Sequence, residues 1–339
     1  MPAESAIEEG SPRADASTRF LRRCLQARWD PQALETIGEL VTDDELDWQS
    51  LLGTSRAGGV GPLLYHAVRD RALVPPAFEE ELRREYLTSA RRNVLLFSEL
   101  EEILGLLDTA DVPVILLKGA ALAEAVYGNV AVRPMSDLDL LVREEDVPAA
   151  LGALTTAGYQ VIPPRAYRCE VMVHKDRQPT NLVEVHWHVF VPFYYQYAIP
   201  VDWFWTSSLP LEAHPRSARM LGPEAQVLHL CGHLLLHHGR AAQPRLLWVY
   251  DLAALIARDA EGIDWELLLA RARAYDLVVP LQRILPDLSA SWQVPIPAAT
   301  LRQLARMEPS EAETSIIARL EETASPAVET LWRGLAAAA

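Results

Sequence analysis

Two aspartates one residue apart are the side chains of this chain best suited to chemistry, in the run Arg133-Pro134-Met135-Ser136-Asp137-Leu138-Asp139-Leu140-Leu141-Val142. Its apolar positions predict a strand, and alternate side chains of a strand share a face. Asp137 and Asp139 therefore point one way, and Leu138, Leu140 and Val142 the other. Carboxylates about 6 to 7 Å apart along a strand repel each other, and a divalent cation between them is the simplest relief of that repulsion in a partly buried place. The competing reading makes Asp137 a turn or cap residue after Pro134 and Asp139 part of a solvated edge. A second group of interest is Asn181-Leu182-Val183-Glu184-Val185-His186-Trp187-His188. Alternation there puts Glu184, His186 and His188 on one face, opposite Val183, Val185 and Trp187. Zinc on that row is disfavoured, because the neighbouring aspartates are hard ligands and no thiolate joins them.

The elements that must position these groups are legible in the surrounding pattern. The chain has 339 residues, half of them hydrophobic, enough for two or three domains. Its polar, acidic start, from Met1 to about Ser17, reads as a disordered leader. Helix-spaced apolar residues then run to about Asp108, ending in a long helix expected from Ala77 to Asp108. Thr42-Asp43-Asp44-Glu45 is an expected N-cap with an acidic first turn. From Val112 the pattern shortens to strand-like runs, and residues 109–215 are expected to hold the sheet. Residues 216–339 return to helix, with His229, His233 and His237 at i, i+4 and i+8 on one expected stripe. The aromatic runs Phe193-Tyr194-Tyr195-Gln196-Tyr197 and Trp203-Phe204-Trp205 lack interleaved cations, which favours packing over base stacking.

Composition narrows the partners. A formal charge of −15 opposes a large nucleic-acid footprint, which needs a basic stripe. No apolar run is long enough to span a membrane, and the N-terminus does not read as a secretion signal. Cys24, Cys169 and Cys231 lie far apart, without disulfide or zinc spacing. A soluble cytoplasmic protein is the expectation.

Three motifs together carry a resemblance: Leu117-Lys118-Gly119 ending a short strand, the Arg133 to Val142 run, and Glu184-Val185-His186-Trp187. Their order resembles the polymerase-β-type nucleotidyltransferase core, and in particular an uncharacterised bacterial nucleotidyltransferase family. The implied fold is α+β, a small mixed β-sheet core flanked by N-terminal and C-terminal helical regions. The implied activity moves a nucleoside monophosphate from an NTP to a hydroxyl or phosphate of a small molecule, peptide or protein. Asp137, Asp139 and Glu184 would be both the catalytic and the metal-binding residues, and oxygen ligands of this kind suit Mg²⁺ or Mn²⁺. Gly119 would admit the triphosphate close to the backbone. Ser136 would bond a phosphate or cap the strand. Lys118 and Arg133 would meet phosphate charge or pair with Asp137 or Asp139. His186 would deprotonate the acceptor, orient Glu184, or serve only the structure. The chain departs from the superfamily at Gly119-Ala120, where Gly-Ser is usual. That departure keeps open a nucleotide-binding regulatory module, and a third reading is the nucleotidyltransferase half of a toxin–antitoxin pair.

Overall fold

The computed structural model describes residues 12–41, 46–163, 168–176, 180–211, 214, 218–237 and 245–322. Five helices precede the sheet: α1 (Pro12–Gln26), α2 (Ala33–Val41), α3 (Trp48–Gly58), α4 (Gly61–Val68) and α5 (Pro76–Thr109). Helix α1 takes in residues 12–17, which were expected to belong to an irregular leader; the rest of that leader lies outside the described residues. The cap expected at Thr42 to Glu45 also lies outside them. Helix α3 is instead capped by Asp47, whose carboxylate accepts from the Gln49 and Ser50 N–H groups. The long helix is nearly as the spacing predicts. Pro76 starts it, where the missing N–H costs nothing, and it buries Leu82, Leu96, Leu100, Ile103, Leu104 and Leu107.

The sheet has seven strands: β1 (Val114–Leu116), β2 (Asp137–Leu141), β3 (Gln160–Ile162), β4 (Glu170–His174), β5 (Leu182–His186), β6 (Leu209–Pro210) and β7 (Ala218–Met220). Their order is β3-β4-β5-β2-β1-β7-β6. It is mixed, as expected: β2 runs parallel to β5 and β1 parallel to β7, and the other neighbours are antiparallel. The sheet extends past residue 215, since β7 pairs with β1 at Val114 to Leu116. Ala-Arg-Met has no β-branched residue and is too short for its alternation to announce a strand, and only its pairing makes it one.

Each face of the sheet meets its own core. Leu138, Leu140, Val171, Val173, Val183 and Val185 pack with the second half of α5 and with α7 (Val147–Thr156). Ile115 and Leu141 turn to the opposite core, built from the first four helices and the C-terminal ones. Beyond the π turn Lys118-to-Tyr127 region, which comprises α6 (Lys118–Leu122) and a π-helical turn at Ala123–Tyr127, the chain enters β2. After β5 come α8 (Phe193–Ala198) and α9 (Asp202–Thr206), then α10 (Pro223–Gly232), a second π turn (His233–His237) and α11 (Leu246–Asp259). Helices α12 to α15 (Trp265–Ala274, Val278–Trp292, Ala298–Ala305, Glu311–Glu322) complete fifteen helices among the described residues. The aromatic runs are packing residues in the main: Phe190, Tyr195, Phe204 and Tyr275 stack in one cluster, while Phe193 and Tyr197 stay exposed. No described helix is long and apolar enough to cross a membrane.

Gly222, at the start of α10, lies so near the Ser207 carbonyl that a Cβ would sit 2.5 Å from that oxygen, whereas a Cβ at Gly105, on the exposed side of α5, would meet nothing within 4 Å. Gly222→Ala is expected to cost about 1–3 kcal/mol, and Gly105→Ala to add up to about 1 kcal/mol. Denaturant midpoints at constant slope measure both.

Candidate active site

The parallel register of β2 and β5 sets Asp139 opposite Glu184, and the antiparallel register of β4 sets Glu170 opposite His186. All four side chains stand on the face away from α5. Lys118 closes the group from the end of β1. Its φ of 46° is left-handed, a conformation that costs a residue with a Cβ about 1–3 kcal/mol. From that turn Lys118 Nζ reaches Asp139 Oδ1 at 2.7 Å. His186 Nε2 lies 3.1 Å from the same oxygen and 3.3 Å from Glu184 Oε2, and Nδ1 lies 3.5 Å from Glu170 Oε2. Arg168 flanks Glu170 at 3.2 Å.

The electrostatics follow from this packing. Burial would raise the Asp139 carboxyl, but Lys118 and His186 outweigh it and hold the group far below the usual carboxylate range. Burial would lower Lys118, yet Asp139, Glu184 and Asp137 together leave it above its ordinary value. For His186 too, burial is outweighed, by hydrogen bonds to Asp139 and Glu184, and the imidazole is raised. For Asp137 the balance goes the other way: burial, then the charges of Asp139 and Glu184, outweigh the Lys118 charge and push it up to about 6. Its carboxylate is hydrogen-bonded by Ser136, a partner not expected for that serine.

The donor set fits a hard divalent cation. Asp139, Glu184 and His186 each offer one ligand atom, all within 4.8 Å of one another, and two of the three donors are carboxylate oxygens. Asp137, expected to be a ligand of the same rank, stands outside this trio but on the same face. His186, expected beside the ligands, is inside it. His188 takes no part: strand β5 ends at His186, and the ring turns inward so that Phe190 N–H donates to Nδ1 at 3.1 Å while Nε2 lies 3.0 Å from the Ile199 carbonyl.

Arg133 departs most from expectation. It pairs with neither Asp137 nor Asp139 but with Asp251 of α11, through Nε at 2.9 Å and Nη2 at 2.7 Å, and the Tyr127 hydroxyl donates to the same carboxylate at 2.6 Å. Arg133 and Asp251 are 5% and 1% exposed, so this bidentate pair is a buried clamp between the sheet and the C-terminal helices. Gly119 is needed beside it, because a Cβ there would come within 2.8 Å of Arg133 Nη1. Ala120 is buried in the core on the α5 side.

A cleft of about 480 Å³ opens over the carboxylates, with Lys118, Gly119, Ser136, Asp137 and Glu184 on one side and His233, Arg245 and Trp248 on the other. Of the expected histidine stripe, His229 and His233 meet edge to face with ring centroids 6.1 Å apart, and the side chain of His237 lies outside what the structure describes. His229 is buried, its Nε2 finds no hydrogen-bond partner among the described residues, and burial aided by the Lys118 charge lowers it to about 3. It is neutral and not a phosphate-binding cation. Sequence reasoning missed Glu170, Tyr127 and the role of Asp251. Glu170 carried a faint signal, an acid opening an alternating strand; for the others only the packing of α11 speaks.

A family model described as an uncharacterised nucleotidyltransferase matches residues 44–286, and the chain belongs to that family. A comparison with curated proteins finds no significant match. Among solved structures, the antibiotic-resistance factor ANT(2'')-Ia is similar over 54% of this chain and 93% of its own, at 16% identity and a TM-score of 0.39. An antigenic nucleotidyltransferase-like protein from Paracoccidioides brasiliensis is similar over 61% of this chain and 95% of its own, at 14% identity and a TM-score of 0.37.

Removing one member of a buried ion pair strands the other. Asp251→Ala is expected to cost about 3–5 kcal/mol, and an Arg133→Met, Asp251→Leu double replacement to recover most of that loss. Chemical denaturation of the single and double variants measures the difference.

Proposed function

We propose that the protein is a metal-dependent nucleotidyltransferase of the polymerase-β type, moving a nucleoside monophosphate from an NTP to a hydroxyl or phosphate of an acceptor and releasing pyrophosphate. The observation that carries this reading is the register placing Asp139 opposite Glu184, with Asp137 on the same face, in a chain of a nucleotidyltransferase family. Asp137, Asp139 and Glu184 would hold Mg²⁺ or Mn²⁺, and His186 offers a further ligand atom within the group of Asp139 and Glu184. The cation would supply charge stabilisation of the attacking and leaving oxygens in an in-line displacement.

The chain's own groups have separable tasks. Gly119 leaves the backbone at the strand end open to the triphosphate. Lys118 is the nearest cation for phosphate charge and, before substrate arrives, holds Asp139 in its ionised form. His186, bonded to Asp139 and Glu184, orients both carboxylates; with its ring committed to them, orientation is better supported than proton abstraction from the acceptor. The Arg133–Asp251 clamp fixes the cleft wall formed by α11. A cytoplasmic setting belongs to the same reading, supported by three cysteines that are free and buried.

One observation favours a second reading, a nucleotide-binding regulatory module: Lys118 already supplies a cation at Asp139, where a metal would bind. Incubation with Mg²⁺ and each labelled NTP separates the two. Pyrophosphate release with at least one NTP, abolished by EDTA, supports the transferase; nucleotide binding without release for any NTP and acceptor supports the module. Asp137→Asn and Asp139→Asn are each expected to lower turnover by on the order of a hundredfold or more; full activity in the double variant would sink the metal mechanism.

Metal binding should also be linked to protons. Asp137 keeps its proton up to a pH of about 6 and must release it to ligate a cation. Affinity for Mn²⁺, followed by calorimetry, is therefore expected to rise as pH climbs through about 6 and then level off, and Asp137→Asn should flatten that rise.

A further inference from the structure

A second cleft, of about 600 Å³, lies between α3, α5 and the loop leading into β2. It adjoins the carboxylate cleft, sharing Pro134, Met135 and Arg245 with it. Its charge is opposite in sign to that of the chain. Arg56, Arg84, Arg92 and Arg245 line it against a single acid, Glu85, in a protein whose formal charge is −15. Arg56 and Arg84 are tied to Glu85, Glu81 and Glu80. Arg92 donates to the Met135 and Ser136 carbonyls, at 3.0 and 2.8 Å, and so holds the loop ending at Asp137. Arg245 is exposed and has no carboxylate partner among the described residues.

Two buried polar atoms in the same wall are unpaired. Ser89 and Asn93, one helical turn apart on α5, are 7% and 0% exposed. Ser89 Oγ and Asn93 Oδ1 find no hydrogen-bond partner among the described residues, although Asn93 Nδ2 is bonded to the Val130 and Arg133 carbonyls. Buried polar atoms left unpaired are costly, and a pair of them lining one cleft marks a place where a polar ligand completes the bonding. The cleft is of small-molecule size.

We infer that this second cleft binds the acceptor, and that the acceptor is a small molecule carrying an anionic group, phosphate or carboxylate. The arginines meet its anion, Ser89 and Asn93 bond its polar groups, and its nucleophilic oxygen reaches the α-phosphate across the shared Pro134-Met135 wall. That oxygen forms the new bond to phosphorus, the bond to the bridging oxygen breaks, pyrophosphate leaves with the electron pair, and the acceptor proton passes to solvent. The assignment rests on the transferase reading above and adds the chemical class of the acceptor.

The test uses the full chain and matched probes: glycerol, glycerol 3-phosphate and glycerate, and glucose against glucose 6-phosphate. Calorimetry is run on each, with and without a saturating α,β-methylene NTP and Mg²⁺. Binding of an anionic member but not of its neutral partner, retained beside the nucleotide analogue, is expected; the phosphate and carboxylate arms identify which anion is read. An Arg84→Gln, Arg245→Gln variant should weaken that binding about tenfold or more, and Ser89→Ala should weaken it without touching charge. Equal binding of charged and neutral members, displacement of the anion by the analogue, or indifference to both variants overturns the inference. Failure of the two readings is distinguishable: nucleotidyl transfer to a neutral acceptor with no anion binding defeats this assignment alone, whereas anion binding without pyrophosphate release for any probe leaves an anion cleft and defeats the transferase.

Discussion

The structure depends on a crowding of negative charge that has to be balanced within a few ångströms. Asp137, Asp139, Glu184 and Glu170 stand on one face of adjoining strands, and their mutual repulsion would open the sheet if nothing opposed it. Lys118 and His186 oppose it, one from a left-handed turn at the end of β1 and one from the strand that carries Glu184. The relief is uneven. Asp139 receives direct contacts from both Lys118 and His186 and is held in its ionised form, whereas at Asp137 burial and the neighbouring carboxylates outweigh the Lys118 charge. That asymmetry gives the group a standing demand for one more positive charge, which is the property a metal-dependent site needs.

The clamp between Arg133 and Asp251 acts at a longer range. A bidentate ion pair buried to this degree gains little net stability over apolar packing, because both charges lose their water. What it supplies is registry: it permits one placement of α11 against the sheet, and α11 carries the far wall of the cleft. Tyr127, delivered by a π turn, completes the bonding of Asp251. Gly119 is part of the same arrangement, since its missing side chain leaves room for the Arg133 guanidinium and the Met135 thioether. The N-terminal helices join this assembly through the Gly58-Gly59 contact with Leu246 and Leu247, so all three parts of the chain meet around the two clefts.

The site was legible wherever local periodicity governs it. Alternation in Asp137 to Leu141 and in Leu182 to His186 told which side chains share a face, and the two faces are as read. It could not tell what lies across from that face. Arg133 was expected to meet phosphate or an adjacent aspartate, yet its partner is 118 residues away. The extension of His188 onto the carboxylate face failed for a local reason: the strand stops at His186, and the next residues bend. Strand β7 carried no signal of its own, since three residues of mixed character become a strand only when a neighbour offers hydrogen bonds.

By itself, then, the sequence determined which residues alternate, where the long helix and the strand carrying the aspartates begin, and which side chains can carry charge. These depend on backbone periodicity and on the chemistry of neighbours within a few positions. Tertiary structure decided the rest: that Asp139 stands opposite Glu184, that Lys118 and His186 share one oxygen of Asp139, that Arg133 answers to Asp251, and that a cationic cleft adjoins the carboxylates in an acidic protein. Each is a contact between segments distant along the chain, and register and packing at such distances are set by the competition of whole faces for burial, which no local pattern records.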